Sequence, residues 1–238
     1  MRASHRGAQR QLFEIAETQQ GLFTTKQAKA AGFAENTHPY HVQVGNWIRE
    51  HRGIYRLALF PVAEHPDLAK WALWSHNRDG AEEGVYSHQT ALSFHELSDV
   101  NPAKLHMTVP SRFRRNSAIP GILVLHRANL TAGDVENAHG FRVTRPLRTI
   151  LDLAEAGTIE RGFLRQAIRQ TLQRGLISRA EIKRAKPSAA LQSMFNEILK
   201  LRRPPEVTHP RSDRVSTAEN SGAGGDAISS SPIGERSV

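Results

Sequence analysis

The 238-residue chain carries 32 Lys and Arg against 23 Asp and Glu, a formal charge of +9 with histidine neutral, so its long-range field attracts polyanions such as nucleic acid or acidic membrane surfaces. It contains no cysteine, which excludes a disulfide framework, a zinc finger and any thiolate metal site and suits a reducing compartment. The longest apolar runs, such as residues 122–125, fall far short of the roughly 18 to 20 residues that span a bilayer, and the basic N-terminus leads into a charged helical pattern rather than a secretion signal; a cytoplasmic chain with no membrane partner is expected.

Leu12, Phe13, Ile15 and Ala16 recur at helical spacing among Gln, Glu and Arg, which predicts an amphipathic helix over residues 8–19, ended by Gly21. Leu22 and Phe23 form a short extended link, and Thr24 or Thr25 caps a helix over residues 26–31 that Gly32 closes. Asn36 or Thr37 caps a third helix ending at Gly45; Pro39 falls in its first turn, where a missing N–H has no intrahelical partner. Trp47 with Ile48, and residues 54–57, pattern two strands around a turn at 50–53, with Gly53 free to take positive φ. Helices followed by a basic hairpin in this order are the parts of a winged helix-turn-helix, assigned to residues 8–60.

Pro61 and the polar residues 64–67 mark a boundary, after which Leu68, Ala69, Trp71, Ala72, Leu73 and Trp74 pattern a helix. Ser87 stands as N-cap of a helix over residues 88–97, and residues 104–109 alternate with period two; 122–126 and 141–144 supply further strands. Helical spacing returns at 145–156, 160–173 and 179–186, the last opened by a capping box of Ser178 with Glu181. Residues 61–200 therefore read as a mixed α/β domain with a small sheet, and the fold class as α+β. From Arg202 onward the chain has no Phe, Trp or Tyr while Ser, Gly and Pro recur, a composition too poor in apolar area to offset ordering entropy, so residues 201–238 are expected to be a disordered tail.

In a helix-turn-helix the second helix of the pair enters the major groove while flanking groups hold phosphates. Here that helix offers Thr37, His38, Tyr40, His41 and Gln43; Gln43 suits an adenine edge, and Thr37 or His38 near the helix start suits phosphate. Phosphate anchors are expected from Lys26, Arg49, Arg52 and Arg56. The helix has no Arg or Lys between Ala34 and Trp47, so attraction to the backbone must come from the flanks and wing.

Arg161, Arg165 and Arg169 share one helix face, four apart and opposite Leu164, Ile168 and Leu172. They form either a second basic surface or an ordinary solvated face. Of the 12 histidines, His88, His95 and His106 invite a metal reading, yet none stands in H-E-x-x-H spacing, and no metal or cofactor is assigned. Glu181 and Lys183 carry the letters E-x-K of a metal-dependent nuclease with Asp152 as a conceivable partner, but Glu181 is better explained as the N3 residue of the capping box, so no enzyme is expected. A protein-interaction module with a basic second domain remains the other alternative.

Six strings in order, GLFTTKQA (21–28), RGIYRL (52–57), YSHQTAL (86–92), HELSD (95–99), HMTVP (106–110) and TRPLRTILDL (144–153), together resemble the AbiEi-type abortive-infection antitoxins and their transcriptional-regulator relatives. The resemblance implies a winged helix that binds inverted repeats in its own promoter, with oligomers possible on the DNA. It also implies a second domain that counters a nucleotidyltransferase toxin without forming a stable complex, as in type IV toxin-antitoxin phage defence.

Overall fold

The computed structural model describes residues 5–62 and 64–201. Residues 202–238, nearly all of the expected tail, lie outside the described residues. Helix α1 (His5–Glu17) presents Ala8, Leu12 and Ala16 inward on one stripe, the i, i+4 rows of a single face. Strand β1 (Leu22–Thr24) leads into α2 (Thr25–Ala30), whose start is fixed by a capping box: Gln27 N–H donates to Thr24 Oγ1 at 3.2 Å and Thr24 N–H donates to Gln27 Oε1 at 2.8 Å. A 3-10 turn (Glu35–Thr37) opens α3 (His38–Gln43), and the hairpin β2 (Trp47–His51) and β3 (Ile54–Leu57) follows. Strand β3 lies in the middle of an antiparallel sheet ordered β1-β3-β2, so the link predicted only as extended is the third strand of a winged helix. The expected helix after Thr37 is present, ending at Gln43, within two residues of Gly45, and a 3-10 turn leads into it.

Helix α4 (Pro66–Trp74) connects to a five-stranded sheet: β4 (Val85–Tyr86), then α5 (His88–Phe94), β5 (Leu105–Val109), β6 (Leu123–Arg127), β7 (Val135–Ala138) and β8 (Phe141–Thr144). The order is β6-β5-β4-β8-β7, with β5–β6 and β4–β8 parallel and β4–β5 and β7–β8 antiparallel. Helices α6 (Pro146–Ala156), α7 (Arg161–Gln173), α8 (Arg179–Ala185) and α9 (Ala189–Leu201) complete the described chain, a mixed arrangement of helices and two small sheets as the fold class requires.

Strand alternation sends Leu105, Met107 and Val109 to one face and His106 and Thr108 to the other. On the first face they pack with Tyr86, Leu123, Phe141 and Val143 against Leu68, Ala69, Ala72 and Leu73 of α4, and Leu22 and Ile54 of the winged helix belong to the same cluster. A second cluster joins Leu92, Leu97, Ile150, Leu153, Ile168 and Phe195 from α5 to α9. At the start of α5 the structure corrects one detail. Ser87 occupies the N-cap position but its side chain makes no cap bond; its Oγ accepts from Thr108 Oγ1 at 2.8 Å and lies 2.9 Å from His88 Nδ1.

Candidate nucleic-acid interface

Helix α3 meets the rest of the winged helix through positions three apart, and those positions are His38 and His41. Both expected groove contacts are in fact core residues, 2% and 7% exposed. The His38 ring sits among Trp47 at 5.2 Å and Tyr55 at 5.8 Å, and its Nε2–H donates to Phe33 O at 3.3 Å. The His41 ring stacks on Trp47 at 4.5 Å with Phe33 on its edge, and Asn46 Nδ2 lies 3.3 Å from its Nδ1. A flat imidazole can fill a core position when its faces meet aromatic rings and a ring nitrogen finds a polar partner. Thr37 turns its hydroxyl back onto Ala34 O at 2.6 Å, holding the turn that aims α3. Pro39, Tyr40 and Gln43, with Val44 just beyond the helix, remain as the outer face, Tyr40 being 60% exposed.

The wing is a tight hairpin. Only Arg52 and Gly53 stand between β2 and β3, a bulge falls between Arg49 and His51, and Gly53 takes φ +74°, which glycine adopts without a Cβ penalty. Of the expected phosphate anchors, Arg56 is already engaged, its Nε donating to Glu50 Oε1 at 2.9 Å. This pair neutralises a charge that the sequence pattern counts as available. Arg49 and Arg52 are exposed and make no ion pair among the described residues. Lys26 donates through Nζ to Arg78 O at 2.8 Å, a carbonyl that fixes the ammonium without cancelling its charge.

The hairpin tip rests on the body of the protein. Thr25 N–H donates to Gly53 O at 2.9 Å, and the His51 ring meets the Trp71 ring of α4 edge-on at 5.1 Å. Beside the tip opens a cleft of about 510 Å³, lined on one side by Lys26, His51 and Arg52 and on the other by His76, Arg115 and Ala118. Its described lining includes Lys26, Arg52 and Arg115 but no carboxylate. The Arg115 guanidinium lies over the Trp74 and Phe113 rings, 5.0 and 5.4 Å from their centroids, and donates to Trp74 O and His76 O. Burial, reinforced by Arg115 and Arg142, lowers His76 to about 4, so this imidazole stays neutral beside the cations. Sequence reading missed Arg115; the run Arg112, Phe113, Arg114, Arg115 is the signal that could have marked it.

The second basic surface is weaker than its spacing suggests. Helix α9, which sequence reading left unassigned, sets Glu197 against Arg165 in a bidentate pair of 2.7 and 2.9 Å, leaving Arg161 and Arg169 exposed on either side. The histidines considered for metal are otherwise occupied: His88 stacks on His126 at 3.6 Å, His106 Nδ1 lies 3.0 Å from His126 Nε2, and His95 Nε2–H donates to Thr144 O at 2.8 Å. Among the described residues no group of three or more His, Asp or Glu is disposed to hold a metal ion. Glu181 serves as the capping-box residue of α8, accepting from Ser178 N–H at 2.7 Å, while Asp152 pairs with Arg148 at 2.8 Å.

A three-stranded winged helix with a polar outer helix face thus occupies the first part of the chain. Residues 10–58 match the AbiEi antitoxin family of transcriptional regulators. The matched segment spans most of α1, both short helices and the whole hairpin. The fold of the larger molecule is similar to that in the crystal structure of RV2827C protein from Mycobacterium tuberculosis, with a TM-score of 0.53 over 84% of this chain and 78% of that one at 12% identity. A search of the curated proteins gives no match. Among the described residues no helix is long and apolar enough to cross a membrane.

Proposed function

We propose that the protein is a cytoplasmic, non-enzymatic regulator that binds double-stranded promoter DNA through its winged helix and acts as the antitoxin of a type IV toxin-antitoxin pair. The AbiEi match over residues 10–58 carries this reading, and the geometry supports it. Helix α3 leaves Tyr40 and Gln43 exposed, where Gln43 can pair with an adenine edge, and the exposed Arg49, Arg52 and Lys26 are the candidate phosphate contacts. With His38 and His41 buried, base reading falls to Tyr40 and Gln43, assisted by the apolar edge of Val44 against thymine methyls.

Gel-shift titrations on the native promoter and on a scrambled duplex test the division of labour. Arg52→Ala should weaken both duplexes alike, whereas Gln43→Ala should lose affinity only for the promoter, by about 1 to 3 kcal/mol at one position. Equal losses on both probes for Gln43→Ala would remove α3 as the reading helix. The antitoxin role calls for a nucleotidyltransferase encoded beside this chain, whose toxicity co-expression of the protein should relieve without a stable complex.

A further inference from the structure

A second cavity, of about 730 Å³, opens where the link after the hairpin meets α4 and α5, and it shares no lining residue with the basic cleft at the hairpin tip. Its size falls in the range of roughly 300 to 1,000 Å³ typical of small-molecule sites. Phe60, Leu68, Phe94, Leu105 and Phe141 give it an apolar wall. The His65 ring joins them, edge-on to Phe94 at 5.5 Å and to Phe141 at 6.1 Å, and Phe94 meets Phe141 at 5.3 Å. Carboxylates are the only formal charges beside this wall: Glu64 and Glu96 line the cavity, and its described lining includes no Lys or Arg. In a chain of formal charge +9 that is a local reversal of sign. Screening beyond roughly 10 Å at 0.1 M salt leaves the nearby carboxylates to set the potential there. The backbone is unusual at the same place. Of the four non-glycine residues at left-handed φ among the described residues, Gln20 at +55° and Glu96 at +54° both belong to this lining. Residues with a Cβ avoid that region, and the exceptions gather at ligand clamps. Gln20 is held in place from both ends of its amide, Nε2–H donating to His139 O at 2.5 Å and Oε1 accepting from His65 N–H at 3.0 Å, so this wall is set before any ligand arrives.

We infer that this cavity binds a small organic ammonium ion with an apolar body, its charge facing Glu64 and Glu96 and its body against Phe60, Phe94 and Leu105. A cation is attracted to aromatic ring faces as well as to carboxylates. A neutral compound of the same shape would gain only the burial of its apolar surface, and an anion would meet two like charges. The occupant would touch Gln20 and Phe60 on one side and α5 on the other, and by binding the folded chain alone it would stabilise the fold. This reading does not depend on DNA binding.

Isothermal titration and thermal denaturation of the full-length protein at ~0.15 M salt test it, with phenethylammonium, benzyltrimethylammonium, benzyl alcohol and phenylacetate as probes. At least one ammonium probe should bind saturably and raise the thermal midpoint, with benzyl alcohol about 10-fold weaker and phenylacetate weaker still. Ser93 and Glu96 are exposed residues of the lining, so Glu96→Gln and Ser93→Trp should keep the parent's midpoint when no probe is added. Glu96→Gln should weaken the ammonium probes about 3- to 10-fold and leave benzyl alcohol unchanged. Ser93→Trp, whose indole fills the cavity, should weaken every probe that binds. If Ser93→Trp lowers the midpoint, Glu96→Gln alone decides. Saturable binding that the variants leave unchanged would put the probe elsewhere and overturn the proposal. Equal affinity for ammonium, alcohol and carboxylate would overturn it by removing the preference for positive charge. No saturable binding of either ammonium probe up to about 10 mM would overturn the site itself.

Discussion

Trp47 organises the winged helix at the scale of single residues: Phe23, Phe33, His38 and His41 all pack their rings within 4.5 to 5.2 Å of it. His41→Ala removes the stacked face and leaves a cavity, so it should cost about 2 to 4 kcal/mol in urea unfolding. Gln43→Ala, on the outer face, should stay within about 0.5 kcal/mol of the parent; a stable His41→Ala protein with selectively impaired promoter binding would return His41 to the groove. Histidine chemistry also sets a pH dependence elsewhere. His88, the first residue of α5, stands at φ +51°, stacked on His126 and near His106 and Arg148, and burial first, then these neighbours, lowers it to about 3; burial and then His126 lower His106 to about 4. Below the ordinary histidine value of 6.5 the unfolded chain binds protons that the folded chain refuses, so stability is at its plateau above that value and declines as pH falls toward 3. His88→Asn removes one such group and suits the left-handed backbone. Allowing for partial solvent screening, it should lose about 1 kcal/mol less than the parent between pH ~7 and pH ~5 in urea titrations. Equal losses would take His88 out of the acid response.

At the scale of elements, the hairpin shows how pairing across a sheet alters a charge count. Glu50 and Arg56 lie on paired strands and hold each other at 2.9 Å. Glu50→Gln releases the guanidinium, so the variant should bind duplex DNA several-fold more tightly at low salt, with the log–log salt slope steeper by about 0.9 if Arg56 then reaches a phosphate. Unchanged affinity and slope in a salt series would mean that Arg56 points away from the DNA. The same contrast between local and cross-strand signals separates what the amino-acid order reveals from what it hides. The helices and hairpin of residues 8–57 are legible because caps, glycines and apolar spacing are local signals; Thr24, one of the two N-cap candidates, caps α2, and the capping box at Ser178 acts as its letters suggest. Two strands are not legible: β4 has only two residues, and β7 has Val135 as its one strongly apolar member beside Glu136 and Asn137, so neither offers a period to detect. Which side of α3 faces inward is hidden for a related reason. His38 and His41 have the right spacing for a core stripe but the wrong polarity, and only the tertiary placement of Trp47 resolves the conflict. Glu197 neutralises Arg165 across 32 positions of sequence, and helical spacing alone carries no trace of that.

For the molecule as a whole, the consequential feature is that the winged helix does not keep its apolar surface to itself. Leu22 and Ile54 face α4 and share its cluster with Tyr86, Met107 and Phe141 of the five-stranded sheet. Polar bonds bind the same junction: Gln20 donates to His139 O at 2.5 Å and accepts from His65 N–H at 3.0 Å, and His139 Nε2–H donates to Glu17 O at 2.9 Å. A buried side chain held from both sides has its full packing energy only while both sides are folded, so unfolding of either exposes the other's apolar face to water. Leu22→Ala should therefore cost about 2 to 4 kcal/mol, and the loss should appear in both parts of the chain. Hydrogen exchange read by mass spectrometry would show peptides from α1 and from β8 losing protection together, by similar free energies, because they open in one cooperative event. Faster exchange in α1 with β8 unchanged would mean that the two parts unfold separately.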